Sequence, residues 1–179
     1  MRRFAAALAC LLAIAAVTAG SAGSRTSKSA FEVLVEPTVS AASNGLTLES
    51  ELEGEFNVAD KTASGNGSFS VMAGTTVLES GTFTVTRLVA FQFYGCGEVT
   101  AEGVRITLPP DFCGGRVLLA VHATSATGEE GDGLYEVNCQ IHDPGGQAPP
   151  GTSEGVKVNA RGINFNKHVT GDNLLVMLP

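Results

Sequence analysis

The stretch TFTVTRLVAFQF, residues 82–93, puts Phe83, Val85, Val89, Phe91 and Phe93 on one parity and Thr82, Thr84 and Thr86 on the other. Side chains of an extended chain alternate between two faces, and β-branched and aromatic residues fit a pleated, half-buried surface. The stretch therefore reads as a strand. Arg87 falls on the apolar parity, which predicts either a bend at that point or a guanidinium that reaches an edge.

The same period of two extends outward in both directions. Upstream, Phe31, Val33 and Val35 alternate with polar neighbours until Pro37, which is expected to end that run. In LTLESELEGEFNV, residues 46–58, the inward parity is Leu46, Leu48, Leu52, Phe56 and Val58, interrupted by the small residues Ser50 and Gly54. Leu48, Leu52 and Phe56 are also four apart, as on a helix, but Gly54 and the sustained alternation favour a strand that bends near Gly54. SGNGS then leads to Phe69 and Val71, and AGTTVLESG supplies a further short strand and turn.

Downstream, Val104, Ile106 and Leu108 alternate before PPDFCGG stops the strand. RVLLAVHA is apolar on both parities, as expected of a strand covered on two faces. The acidic turn TGEEGDG precedes Tyr135, Val137, Cys139 and Ile141, which share one face. DPGGQAPPGTSEG is too rich in glycine and proline for a regular element. Val156 and Val158 are followed by Ile163 and Phe165 on the opposite parity, so a bulge or corner is expected near Gly162. TGDN turns into a closing LLVML strand.

Roughly nine short strands and no helix make an all-β chain. Variable loops favour an antiparallel β-sandwich, with a closed β-barrel as the alternative.

The N-terminus, MRRFAAALACLLAIAAVTAGSAGS, has the charged, apolar and small-residue order of a secretory signal peptide. A retained transmembrane anchor is the structural alternative, since the apolar run approaches the ~20 residues that span a bilayer. Its alanine content and the lack of a following positive cluster favour cleavage, and Cys10 stands too early in the run for a lipoprotein. The expected organisation is a signal peptide over 1–23, a flexible leader over 24–30 and a single domain over 31–179, with no transmembrane anchor after cleavage. A secreted, periplasmic or cell-surface location follows.

Losing Arg2 and Arg3 would leave 9 basic against 18 acidic residues, a formal charge of −9. That balance repels phosphate backbones, and no basic stripe offsets it, so nucleic acid is excluded as a partner. In an oxidising compartment Cys96, Cys113 and Cys139 supply one disulfide and one thiol. Cys96 and Cys113 sit in glycine-rich turns, while Cys139 lies inside an apolar run. Pairing Cys96 with Cys113 is preferred, worth about 3 kcal/mol if unstrained; the sequence leaves the other two pairings open.

Candidate sites are few. Glu49, Glu51, Glu53 and Glu55 stand two apart, but a strand separates such carboxylates by about 6.6 Å and cannot converge them on one cation. They read as a water-facing row. Glu129, Glu130 and Asp132 form a turn without the spacing of a calcium loop. His122, His142, His168 and Cys139 are the residues from which a divalent metal site could be written, although residues three apart on a strand, as Cys139 and His142 are, face opposite ways. His122 is expected to be packed or at an edge, and His142 and His168 to lie in loops.

No catalytic residues emerge. The chain after the signal has no nucleophile elbow and no zinc-protease helix motif, and a buried Cys139 would be an inert thiol. Phe91, Phe93 and Tyr94 make a weak platform for carbohydrate, because two of the three face inward. Asn164, Asn166, Lys167 and His168 crowd polar donors onto one strand and its turn, a candidate partner surface. The expectation is an exported, non-catalytic protein that binds an unknown protein or small ligand or serves structurally, with a metal-binding module or metalloenzyme as the alternative and no cofactor required.

Overall fold

A computed structural model describes residues 29–150 and 152–179. The expected signal peptide, and all but the end of the expected leader, lie outside the described residues.

Eleven strands follow one another: β1 (Ala30–Ala42), β2 (Leu46–Asn57), β3 (Thr62–Ala73), β4 (Thr76–Cys96), β5 (Glu98–Ala101), β6 (Val104–Thr107), β7 (Phe112–Ser125), β8 (Glu130–Cys139), β9 (Gly155–Ala160), β10 (Ile163–Thr170) and β11 (Asn173–Met177). The described residues are all-β, and every pairing is antiparallel. β5 and β6 form a separate two-stranded hairpin, and the other nine strands share one sheet.

That sheet bends back on itself. Successive pairings run β1-β2-β3-β4-β7-β8-β9-β10, and β10 pairs again with β1 over Val39 to Ala42. At the other end of the molecule β11 takes the place of three strands: it pairs with β1 over Phe31 to Val35 and with β7 at Phe112 and Cys113. One end is therefore ringed by eight strands and the other by six. The interior tapers between them.

The inward parity follows the expected residues along β1, β2 and β8: Phe31, Val33, Val35, Leu48, Leu52, Phe56, Tyr135, Val137 and Cys139 are all buried. β7, expected to be covered on both faces, is fully buried on one only: Val117, Leu119 and Val121 point inward, and Leu118 and Ala120 between them are half-buried. At the narrow end the rings of Phe31, Phe56 and Phe91 pack with centroids 4.9 to 5.2 Å apart and close the interior. Glycine permits the closest approach between strands. Gly54 and Gly65 face each other across β2 and β3, and a Cβ on Gly54 would come within 2.6 Å of the Ser64 carbonyl oxygen. β2 pairs with β3 through Gly54 without a register shift, so the bulge expected there does not form, and what the glycine serves is the contact of two bare backbones.

Several expectations need correction. The strands are not uniformly short, since β4 runs for 21 residues and β7 for 14. β4 stays paired over this length by bulging: its register with β7 shifts between Val85 and Arg87 and again between Leu88 and Ala90. An extra residue reverses the phase of everything beyond it. Leu88, between the two shifts, therefore points inward, and Val89, placed on the buried face by alternation alone, is 39% exposed; the second shift restores the phase, so that Phe91 packs on Phe31 and Phe56, although Phe93, also expected on the buried face, is 49% exposed. The interruption at Arg87 was the visible trace of this bulge.

Pro37 does not end β1. It sits where the β1–β2 register shifts between Val35 and Thr38, a position at which no ladder hydrogen bond is forfeited. The phase change near Gly162 is neither a bulge nor a corner but a two-residue hairpin turn, with φ of 50° at Arg161 and 77° at Gly162. Positive φ at both central residues gives the turn the twist of its flanking strands.

Candidate functional site

The turns β1–β2, β3–β4, β7–β8 and β9–β10 all lie at the eight-stranded end, because the strands they join alternate in direction. Between them opens a cavity of about 110 Å³. Its apolar wall comes from Leu48 on β2, Phe69 and Val71 on β3, Phe83 on β4, Val121 and Ala123 on β7, Val158 on β9 and Phe165 on β10. Farther along the same strands Leu52, Leu119, Val137 and Val156 are buried and do not line it. The floor is thus at the level of Ser50, Phe83 and Tyr135.

Two polar side chains stand on that floor. Ser50 Oγ and Tyr135 Oη are 3.0 Å apart, and both residues are buried. Burial raises the Tyr135 pKa, more than the bond to Ser50 lowers it, so the phenol stays protonated. Ser50 occupies the inward parity of β2 because a small residue is needed opposite the Tyr135 ring, which also packs on Phe83 with centroids 5.2 Å apart.

An ion-pair group stands at the mouth. Arg161 Nη1 donates to Glu79 Oε1 at 3.1 Å and to Glu129 Oε2 at 3.0 Å. The three residues come from the β9–β10 turn, β4 and the β7–β8 turn, so one guanidinium ties together three elements around the opening. The two carboxylates outnumber the single guanidinium there. Such a half-exposed network contributes little stability, about 1 kcal/mol or less, and its importance is positional.

No histidine or cysteine lines this cavity. His122 sits on the outer face of β7 with Nδ1 2.8 Å from Asp132 Oδ1 and Nε2 3.8 Å from Glu130 Oε2, and the bond to Asp132 raises its pKa. It is half-buried on that face rather than packed in the core, since Val121 and Ala123 on either side of it take the inward side. His142 and His168 are not loop residues free of structure. His142 is buried, forms a bridge with Glu98 and keeps Nδ1 2.9 Å from the Asp143 carbonyl oxygen, while His168 lies within β10 opposite Ser40. Cys139 faces the core, and burial, with Glu154 adding to it, pushes its thiol up to about 12.

His122, His142, His168 and Cys139 are thus spread over separate places. Among the described residues no group of three or more histidine, cysteine or acidic side chains is arranged to hold a metal ion.

The remaining candidates are surface features. Glu49, Glu51, Glu53 and Glu55 are exposed on β2 and lie opposite Ser70, Ser68, Asn66 and Ser64 on β3, with Ser68 Oγ donating to Glu51 Oε1 at 2.8 Å. Asn164, Asn166 and Lys167 are exposed on β10, with Asn159 Nδ2 donating to Asn164 Oδ1 across the hairpin, whereas His168 Nδ1 is buried. Cys96 and Cys113 are bonded as a disulfide at the narrow end and Cys139 is free, as expected. A disulfide fits an oxidising compartment. No helix among the described residues is long and apolar enough to cross a membrane.

Comparison with protein-family models, curated proteins and solved structures gives no match.

Proposed function

We propose that this protein is exported and acts by binding a small, largely apolar molecule in the cup at its eight-stranded end, without catalysing a reaction. The signal-like N-terminal sequence and the Cys96–Cys113 disulfide support export. The cup itself supports binding. An apolar concavity with a few convergent polar groups is the usual form of a small-molecule site, and here the polar groups are confined to the floor and the mouth. Closely packed interiors leave few voids larger than a water molecule, so a cavity of about 110 Å³ is a feature in need of a role.

Titration of the mature protein with toluene, followed by methyl NMR, tests this. Saturable shifts are expected at Leu48, Val71, Val121 and Val158, and they should vanish in Ala123→Leu, whose side chain fills the cup. Shifts that are absent, or that persist unchanged in the filled variant, would overturn the proposal.

A further inference from the structure

We infer that the cup selects an uncharged molecule of about benzene size bearing one hydroxyl or carbonyl oxygen, and that Ser50 and Tyr135 together receive that oxygen. This deepens the binding role proposed above and rests on it.

Hydroxyl counting carries the inference. Ser50 and Tyr135 bring two O–H protons and their lone pairs to the cavity floor, and the bond between them uses one proton whichever residue donates. Neither hydroxyl has another protein partner among the described residues. The second proton, and the lone pairs that this bond leaves unused, therefore stand beside an otherwise apolar space. A buried donor left unmade is costly, and a site with such a donor discriminates against molecules that cannot satisfy it. The pair is also held firmly. Ser50 is fixed on β2 between Leu48 and Leu52, and the Tyr135 ring is clamped against Phe83.

Size and charge narrow the class further. An apolar cavity of about 150 Å³ takes up benzene in an engineered protein. The cup, at about 110 Å³ with an open mouth, admits a single six-membered ring with a short substituent. A carboxylate on that molecule would meet Glu79 and Glu129 at the entrance, and the one guanidinium there already donates to both. Its charge could not be carried to the floor without losing hydration. A neutral oxygen can be.

Phenol, toluene and benzoate share the ring and differ only in the group presented, so their dissociation constants, measured by the same methyl shifts, test the inference. The wild-type protein should bind phenol on the order of tenfold more tightly than toluene, and benzoate more weakly than either. In the double variant Ser50→Ala/Tyr135→Phe, which removes both hydroxyls without creating a lone unpaired one, the order of phenol and toluene should reverse. Ser50→Ala alone, which leaves Tyr135 able to donate, should retain a preference for phenol. Equal binding of toluene and phenol by the wild-type protein, or the same preference in the double variant, would overturn the inference while leaving apolar binding in the cup intact. Tightest binding of benzoate would overturn the uncharged class. Binding of none of the three would remove the cup as a site and the inference with it.

Discussion

Replacing Glu154 by Gln should stabilise the protein at alkaline pH and leave it nearly unchanged in acid. Glu154 precedes β9, and its Oε2 accepts the backbone N–H of Gln140 at 2.7 Å. The neighbouring loop is fastened to the same stretch by Asn138 Nδ2 donating to the Ser153 carbonyl oxygen at 2.6 Å and Gln140 Nε2 donating to that of Thr152 at 3.0 Å. Burial pushes the carboxyl from an ordinary 4.5 up to about 7, against the lowering effect of the Gln140 bond, and Asp172 adds to the rise. Folding therefore favours the protonated acid. Its contribution is fully present below the unfolded pKa of 4.5 and is lost as pH rises through about 7.

Each pKa unit corresponds to about 1.4 kcal/mol, and partial exposure screens the charge, so the ionised form costs the fold about 1 to 3 kcal/mol at pH 8. Gln keeps the acceptor for Gln140 and carries no charge. Urea denaturation of both proteins at pH 4 and pH 8 isolates this group, because every other titration is common to the pair. The variant should match the wild type within about 0.5 kcal/mol at pH 4 and exceed it by about 1 to 3 kcal/mol at pH 8. A difference that stays flat between these pH values would refute the reasoning.

Two further outcomes follow from packing. Cys139, buried with its thiol pushed up to about 12, should resist iodoacetamide at pH 8 for as long as the protein is folded and react once in denaturant; prompt labelling of the folded protein would contradict the placement of this residue in the core. Gly67→Ala should cost about 2 kcal/mol or more in thermal or urea unfolding, since the added Cβ would collide with the Phe83 ring and the Glu51 carbonyl oxygen. Part of that loss should return in Gly67→Ala/Phe83→Leu, and a single variant as stable as wild type would show that β3 can move away from β4.

Strand identity was legible because burial on one face imposes a period of two, and it failed where the backbone broke that period. Leu46 to Val58 and Tyr135 to Cys139 follow their pattern without interruption, and their inward residues are the ones that alternation selects. Leu88 and Val89 lie at the β4 bulges, so their placement depended on register shifts that leave only indirect marks in a sequence, here Arg87 on the apolar parity. The disulfide was legible from two glycine-rich turns at either end of one excursion.

The cup was almost invisible. Glu79, Glu129 and Arg161 meet across separations of 32 and 82 residues, and each by itself is an ordinary charged turn or strand residue. Ser50 did leave a signal, a hydroxyl residue on the inward parity of a strand whose other inward residues are leucine, glycine and phenylalanine. Its partner could not be named, because pairing with Tyr135 spans 85 residues and depends on which strands face each other. Histidine drew attention for its chemistry, yet its three occurrences serve the outer face of β7, the Glu98 bridge and β10.

β11 has a bearing on how two copies of this chain can meet. It is a five-residue strand that fills the space between β1 and β7, with Leu175 wholly buried, and only residues 171 and 172 join it to β10. Without it, the edges of β1 over residues 31–35 and of β7 at 112–113 would stand open at the narrow end, a template for another chain. A short strand on a two-residue hinge can be donated: placed in the slot of a second molecule, it would recover the same hydrogen bonds and bury the same leucine, and the two molecules would be linked by exchange with no new interface required. The piece that completes the monomer is thus also a ready means of joining monomers, and the shortness of its two-residue hinge, which has to straighten before any exchange, is what favours keeping it at home.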